Sequence, residues 1–200
     1  MDEATFEGLR ATLEARCILR GDFTLASGKR SNYYYNGKAG MLAGEVKVTL
    51  ARALWELAAG IEFDVLGGPA VGAVPLVEQM SVVSAIERGR AVDTFYVRSE
   101  KKDHGTQSAL YQAIREDGSE VLVAGSRALV VEDALTTGGS VRVALEAVEA
   151  AGAVVAGVLL VADRQDPDAD WLRKGYDYRA LFTVDTDGRL HGASRVPQPA

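Results

Sequence analysis

The stretch of the sequence with the clearest chemical character combines two acids with hydroxyl groups and glycines. It reads Ala128-Leu-Val-Val-Glu-Asp-Ala-Leu-Thr-Thr-Gly-Gly-Ser140, and apolar periodicity predicts a helix directly after it. Glycines let a backbone approach a ligand closely, and hydroxyls donate hydrogen bonds. The N-terminus of a helix adds unpaired N–H groups and the positive end of its dipole. The pattern therefore predicts a loop that binds a phosphate group.

The adjacent acids Glu132 and Asp133 are unusual beside a phosphate site because carboxylates repel an anion. They are explained if they bind sugar hydroxyls or, directly or through water, a Mg²⁺ ion. This favours a phosphorylated sugar over a nucleoside triphosphate tail as the ligand. No Gly-x-x-x-x-Gly-Lys-Ser/Thr loop is present, and no Gly-x-Gly-x-x-Gly follows a strand, so the commoner phosphate loops are excluded. Taken alone, the acid pair is also compatible with a strand that ends before an ordinary helix cap.

Composition limits the class of protein in which this site is found. The 200 residues are 48% hydrophobic and 25% charged, which predicts a single globular domain over residues 1–200. A net charge of −6 argues against a general nucleic-acid binder. Cys17 is the only cysteine, and only His104 and His191 are histidines, so a disulfide and a Cys- or His-rich metal centre are not expected. The longest apolar run has ten residues, half of what a membrane helix needs, and no signal peptide is recognisable, so we expect a cytoplasmic protein without membrane contact.

Apolar spacing predicts the elements that position the site. Helices are expected over 4–19, 44–59 and 73–88 and after the phosphate loop, and strands at 63–67, 94–97, 127–132, 154–161 and 178–184. Residues 68–72 read as a loop, and residues 98–119 read as a long mobile loop because they are charged and have no apolar period. The alternation of strands and helices predicts an α/β fold with a mostly parallel sheet flanked by helices.

The segment Val130-Val-Glu-Asp-Ala-Leu-Thr-Thr-Gly-Gly-Ser140 resembles the phosphoribosyl pyrophosphate (PRPP) motif of the type I phosphoribosyltransferases. This resemblance implies a type I phosphoribosyltransferase-like fold, with a small N-terminal hood from residues 1–40 and part of the C-terminus. It implies that the acid pair binds the ribose hydroxyls and that the loop binds the 5-phosphate. The PRPP-binding residues of the motif would be Glu132, Asp133, Ala134, Leu135, Thr136, Thr137, Gly138, Gly139 and Ser140.

Four further segments, in the same order along the chain, are similar to the orotate phosphoribosyltransferase branch of the family. They are a hood segment at 23–35, a pyrophosphate loop at 67–75, a catalytic loop at 98–105 and an Asp-Arg pair at 163–164. The implied reaction joins orotate to the phosphoribosyl group of PRPP and releases pyrophosphate, with Mg²⁺ carried mainly by PRPP.

The resemblance also implies a role for individual side chains. Arg98, Lys102 and His104 would close over PRPP and stabilise the leaving pyrophosphate, and these three together with Asp133 are the predicted catalytic residues. Arg164 would hold the orotate carboxylate, Thr136 would lie near the base, and Tyr34 and Tyr35 would close over it. The family arrangement further implies a homodimer in which the catalytic loop of one subunit covers the neighbouring site.

Alternatives remain at several of these positions. The residues from Arg98 to His104 could be a solvated charge run, Arg164 could pair with Asp163, and the tyrosines could pack in a sheet. Ser99 stands where the family usually has a lysine, which leaves room for a phosphoribosyltransferase that acts on another base. A PRPP-binding regulator without turnover is the alternative from a different class of protein.

Overall fold

A seven-stranded sheet with helices on both faces forms the centre of this computed structural model, which describes residues 1–24, 30–98 and 110–193. The strands of the large sheet are β3 (Val65–Ala70), β4 (Asp93–Arg98), β5 (Leu110–Gln112), β6 (Arg127–Leu135), β7 (Val154–Asp163), β8 (Tyr178–Val184) and β9 (Leu190–Gly192). A separate two-stranded sheet pairs β1 (Ile18–Thr24) with β2 (Arg30–Tyr35). The helices are α1 (Glu3–Cys17), α2 (Gly37–Met41), α3 (Lys47–Leu57), α4 (Val74–Arg88), α5 (Gly139–Ala150) and α6 (Asp170–Gly175).

The strand order of the large sheet is β5-β4-β3-β6-β7-β8-β9. The five inner strands are parallel, and β5 and β9 are antiparallel edges. After β3 the chain moves to β4 on one side, and after β6 it moves to β7 on the other side. The carboxyl ends of β3 and β6 therefore form a topological switch point, where ligands bind in open α/β sheets.

Apolar side chains explain why these segments form buried elements. The residues from Ala128 to Val131 in β6 and from Val158 to Ala162 in β7 are buried, as expected of central parallel strands covered on both faces. Helix α5 buries Val141, Leu145 and Val148, at helical spacing, against one face of the sheet. Helices α1, α3 and α4 pack in the core on the other face. No helix among the described residues is both long and apolar enough to cross a membrane.

The N-terminal elements pack against the last hairpin of the chain. The ring of Phe6 in α1 stacks on that of Phe182 in β8 at a centroid distance of 5.0 Å. The guanidinium of Arg10 donates to the carbonyl of Leu190 at 3.0 Å, and the N–H of Leu190 donates to the carboxylate of Glu14 at 2.8 Å. These contacts support a hood built from residues 1–40 and part of the C-terminus, and that division of the chain stays a prediction.

The α/β fold with a mostly parallel sheet is confirmed, and so are the helix at 73–88 and the strand at 178–184, each within a residue. The loop predicted at 68–72 is wrong at its start, because β3 continues to Ala70. Glycine is a weak strand former, but Gly67 and Gly68 lie where a side chain would collide with Phe95 and with the backbone of Val131. Close packing of neighbouring strands therefore overrides the local preference at these two positions.

The long loop predicted for residues 98–119 is also wrong in part. Residues 110–112 form β5, in which Tyr111 pairs with Tyr96 of β4, and Ile114 bridges to Glu120. Pairing with β4 stabilises this strand although it has no apolar period. A single sequence does not reveal such a pairing. The rest of the predicted loop, at 99–109, lies outside the described residues.

Candidate active site

The acid pair lies at the carboxyl end of β6, at the switch point of the sheet. Glu132 is only 4% exposed, whereas Asp133 is half-buried. The backbone N–H of Asp133 donates to Oε1 of Glu132 at 2.9 Å, which fixes the glutamate side chain against its own strand. The two carboxylates thus lie beside each other on a central strand, at the edge of the sheet where β3 and β6 have their carboxyl ends.

Two glycines leave the space that these carboxylates occupy. A Cβ atom at Gly72, in the loop after β3, would lie 2.7 Å from Oε1 of Glu132 and 2.9 Å from Oδ1 of Asp133. A Cβ atom at Gly37, the first residue of α2, would lie 2.7 Å from Oδ2 of Asp133. All three distances are below those of ordinary contacts, so a side chain at Gly72 would displace both acids and one at Gly37 would displace Asp133. Two loops from distant parts of the chain therefore meet at the acid pair.

The carboxylate of Glu132 has no ion-pair partner among the described residues. Burial, followed by the negative charge of Asp133 and a hydrogen bond with it, raises the pKa of Glu132 well above its ordinary value of 4.5. Lys38 opposes this shift in pKa from the exposed side of α2. A carboxylate in this state gains from ligand hydroxyl groups or from a cation.

The donor set fits Mg²⁺ only in part. Carboxylate oxygens are the ligands that Mg²⁺ prefers, and it keeps several water or phosphate ligands in protein sites. Within residues 1–24, 30–98 and 110–193, no cluster of three or more His, Cys, Asp or Glu side chains could hold a metal ion. Glu132 and Asp133 could therefore hold one side of an ion, directly or through water, and a polyphosphate ligand would have to supply the rest.

The predicted phosphate loop connects β6 to α5. The residues of this loop that face solvent are Thr136, Thr137, Gly139 and Ser140. Gly138 is the N-cap of α5 and has a φ of +83°, a conformation that favours glycine. Helix α5 is 12 residues long, so its first turn presents free N–H groups beside the acid pair. The side chain of Leu135 is in the core and that of Ala134 is half-buried, so Leu135 can contribute only its backbone to a ligand.

Arg164 follows β7, next to the phosphate loop, and its backbone N–H donates to the carbonyl of Leu135 at 3.0 Å. Its guanidinium carbon lies 5.3 Å from the centroid of the Tyr33 ring. The Nε atom of Arg164 is buried and has no hydrogen-bond partner in the described part of the chain. Arg164 is thus a half-buried cation whose guanidinium group lies beside an aromatic ring.

The ion pair between Arg164 and Asp163 that the sequence left open does not form. Asp163 instead accepts two hydrogen bonds from Arg173, at 2.7 and 2.9 Å, and one from the Tyr178 hydroxyl at 2.6 Å. Burial opposes the shift, but these bonds and one from the N–H of Gln165 lower the pKa of Asp163. Sequence reasoning did not single out Arg173 for this role, since a partner ten residues away has no local signal.

The tyrosines of β2 occupy different environments. Tyr34 is 45% exposed, and its ring lies 5.7 Å from that of Phe23. Tyr35 is 8% exposed, and burial, with Cys17 and Asp133 nearby, raises the pKa of its hydroxyl well above 10.0. A Cβ atom at Gly37 would lie 2.9 Å from the Tyr35 ring and 2.7 Å from Oδ2 of Asp133, so this ring lies near the acid pair, and its predicted contact with the base stays a prediction. Tyr33, rather than Tyr35, is the ring beside Arg164.

Arg98 ends β4, in register with Ala70 of β3, at the same edge of the sheet as the acid pair. Its guanidinium donates to the hydroxyl of Tyr111 at 2.6 Å. Lys102 and His104 lie outside the described residues. The structure therefore brings Glu132, Asp133, the phosphate loop, Arg98 and Arg164 to one edge of the sheet.

Comparison with known proteins is consistent with this geometry. The family model of the phosphoribosyl transferase domain matches residues 43–189. An orotate phosphoribosyltransferase of Bradyrhizobium sp. strain BTAi1 is 37% identical over 171 residues, which cover 85% of this chain and 90% of that protein. The crystal structure of Mycobacterium tuberculosis H37Rv orotate phosphoribosyltransferase in complex with Fe(III) dicitrate gives a TM-score of 0.74 at 30% identity. That match covers 90% of this chain and 97% of the other. The M. tuberculosis enzyme in complex with PRPP gives a TM-score of 0.70 at 28% identity, covering 90% and 96% of the two chains.

The chain therefore belongs to the phosphoribosyltransferase family. Its branch is that of the orotate phosphoribosyltransferases, and the resemblance found in the sequence is confirmed.

The buried carboxylate makes a prediction about stability. In the unliganded protein, Glu132→Gln should raise the melting temperature at neutral pH, because it removes a buried charge while an amide oxygen can still accept the Asp133 N–H. Since the pKa of Glu132 is raised on folding, the parent loses stability as pH rises above 4.5, the value expected when unfolded. The gain in the variant should therefore be small below about pH 4 and grow toward neutral pH.

Thermal unfolding across this pH range provides the measurement. Glu146→Gln, at an exposed position of α5, is the matched control and should follow the parent. A variant at position 132 that is no more stable than the parent at neutral pH would contradict the assignment of an unbalanced buried charge.

Proposed function

We propose that this protein transfers the 5-phosphoribosyl group from PRPP to orotate, giving orotidine 5′-monophosphate and pyrophosphate in pyrimidine biosynthesis. The observation that carries the proposal is the acid pair at the switch point, beside a helix N-terminus that suits a phosphate. The relatives named orotate phosphoribosyltransferase support the same reaction. The chain is accordingly an enzyme, a pentosyltransferase.

The chemistry of the transfer explains why acids belong beside a phosphate loop. The bond from the anomeric carbon of ribose to pyrophosphate oxygen breaks, and a bond from that carbon to a ring nitrogen of orotate forms. Positive charge develops on the ribose and negative charge on the leaving group. We propose that Glu132 and Asp133 orient the ribose hydroxyls and that Asp133 stabilises the developing positive charge.

The leaving pyrophosphate needs positive charge. Arg98 lies at the correct edge of the sheet, and its position supports a role in PRPP binding. For Lys102 and His104 the resemblance alone supports this role, and a histidine could give a proton to the departing oxygen. Mg²⁺, when bound with PRPP, would neutralise phosphate charge and help the pyrophosphate to leave.

We assign the 5-phosphate to the loop from Thr136 to Ser140 and the base to the region around Arg164. A guanidinium binds a planar carboxylate with two parallel hydrogen bonds. Arg164 is available to bind a carboxylate of the ligand because Asp163 already forms an ion pair with Arg173. Tyr34, which is exposed, and Thr136 remain our candidates for contacts with the base. The ring of Tyr33 packs against the guanidinium of Arg164.

A coupled assay of pyrophosphate release tests the proposal. With PRPP and Mg²⁺ we expect turnover with orotate and none with uracil, guanine or adenine. Excess chelator should abolish turnover, because two carboxylates cannot replace the metal on a polyphosphate. Turnover with another base but not with orotate would assign a different phosphoribosyltransferase. PRPP binding without turnover on any base would assign a regulator, and full activity in chelator would contradict the magnesium requirement.

The Arg164→Ala variant should raise the KM for orotate far more than the KM for PRPP. Loss of one charged hydrogen-bonding partner costs roughly 1.5–3 kcal/mol, so roughly a tenfold or larger increase is expected. Arg52→Ala, which removes an exposed arginine paired with Glu87 on the far side of the fold, is the control. Equal effects on both Michaelis constants would place Arg164 outside the orotate site.

Two further parts of the proposal rest on the resemblance. We propose a homodimer in which the segment 98–105 of one subunit covers the site of the other. We also propose that the enzyme acts in the cytoplasm, where its small-molecule substrates are made.

A further inference from the structure

Trp171 in α6 lies directly against the phosphate loop, although it belongs to no motif. A Cβ atom at Gly138 would lie 2.9 Å from Cζ2 of this indole and 3.3 Å from its Nε1. Gly138 also has a φ of +83°. Both the backbone conformation and the indole edge therefore require glycine at the N-cap of α5. The tryptophan fills the space in which a side chain of the loop would otherwise lie.

The same ring supports a cation. The guanidinium carbon of Arg142, in the second turn of α5, lies 4.1 Å from the centroid of the Trp171 ring. The backbone N–H of Arg142 donates to the carbonyl of Gly138 at 2.9 Å. Among the described residues this guanidinium forms the cation–π contact and an electrostatic interaction with Tyr176, and it has no hydrogen bond or ion pair. Side chains of a helix point toward its N-terminus, so Arg142 lies over the turn that begins at Gly138.

The indole itself is held in place by its neighbours. The ring of Tyr176 contacts it edge to face at 6.2 Å, and α6 is fixed to the end of β7 by the bond between Arg173 and Asp163. Nε1 of Trp171 is buried without an acceptor in the described part of the chain. A buried indole N–H normally has a partner, so the position of this ring is set by packing on Gly138, Arg142 and Tyr176 rather than by a hydrogen bond.

We infer that Trp171 is a positioning residue for PRPP, through its contacts with Gly138 and Arg142. The ring holds the phosphate loop in its binding conformation, and it holds a guanidinium beside the N-terminus of α5, where it adds positive potential for the 5-phosphate. The inference rests on the proposed function, since it assigns the 5-phosphate to this loop. A residue that merely packs in the core would affect stability and not the binding of one substrate.

Steady-state kinetics separates these roles. Trp171→Ala should raise the KM for PRPP about fivefold or more, because the cation–π contact and the support of the loop are both lost. The kcat and the KM for orotate should change little. Trp171→Phe keeps a ring and should stay within about threefold of the parent. Arg142→Gln should raise the KM for PRPP, and combining it with Trp171→Ala should add less than the sum of the two effects.

Fluorescence gives a readout that does not depend on turnover. The chain has two tryptophans, and Trp55 lies on the other face of the sheet with its indole N–H bound to the carbonyl of Met80 at 2.9 Å. In a Trp55→Phe variant, ribose 5-phosphate should change the emission of Trp171, and inorganic pyrophosphate should not. The same ligand should leave the emission of Trp171→Phe unchanged.

Several results would overturn the inference. They are a Trp171→Phe variant as impaired as Trp171→Ala, equal effects on the Michaelis constants of both substrates, and no change in Trp171 emission at saturating ribose 5-phosphate. An enzyme that turns over orotate but gives one of these results would retain the proposed function and lose this inference. A protein without turnover whose Trp171 emission still changes with ribose 5-phosphate would lose the proposed function and retain the contact between Trp171 and the phosphate loop.

Discussion

The structure of the site depends on keeping the buried carboxylate of Glu132 next to the half-buried carboxylate of Asp133, at the edge of the sheet where a ligand is expected. Burial and the charge of Asp133 raise the pKa of Glu132. The ionised carboxylate therefore lowers the stability of the folded protein until a ligand compensates its charge. The acids can approach the loops around them only because Gly72 and Gly37 have no side chains there. Stability is thus given up at the point where the ribose is expected to bind.

The surrounding fold makes that arrangement rigid. The acids lie near the carboxyl end of a central strand that is buried on both faces, and the phosphate loop continues from the same strand into α5. The carbonyl of Leu135 receives the N–H of Arg164, so the end of β7 is tied to the start of the phosphate loop. The sites proposed for phosphate, ribose and base therefore lie at the ends of two adjacent, hydrogen-bonded strands.

Much of this was accessible from the sequence, for identifiable physical reasons. The apolar runs of β6 and β7 and the helical spacing of Val141, Leu145 and Val148 are local signals, and they predicted the parallel sheet and its loop. Pairing between distant residues has no such signal. This is why β5 was interpreted as a loop and why Asp163 was considered a partner of Arg164. The contact between Trp171 and Gly138 is of the same kind, since 33 positions separate two residues that touch only in the fold.

Equilibrium binding of PRPP in the presence of Mg²⁺ to the Gly72→Ala variant tests the central claim most directly. The added methyl group would enter the space of both carboxylates, whereas Gly44→Ala adds the same group where no atom lies within 4 Å. Calorimetric titration should give a Kd about tenfold or more above the parent for Gly72→Ala, since roughly 1.4 kcal/mol of lost binding produces that change. The Gly44→Ala variant should bind like the parent. A folded Gly72→Ala protein that binds PRPP with the affinity of the parent would contradict the account.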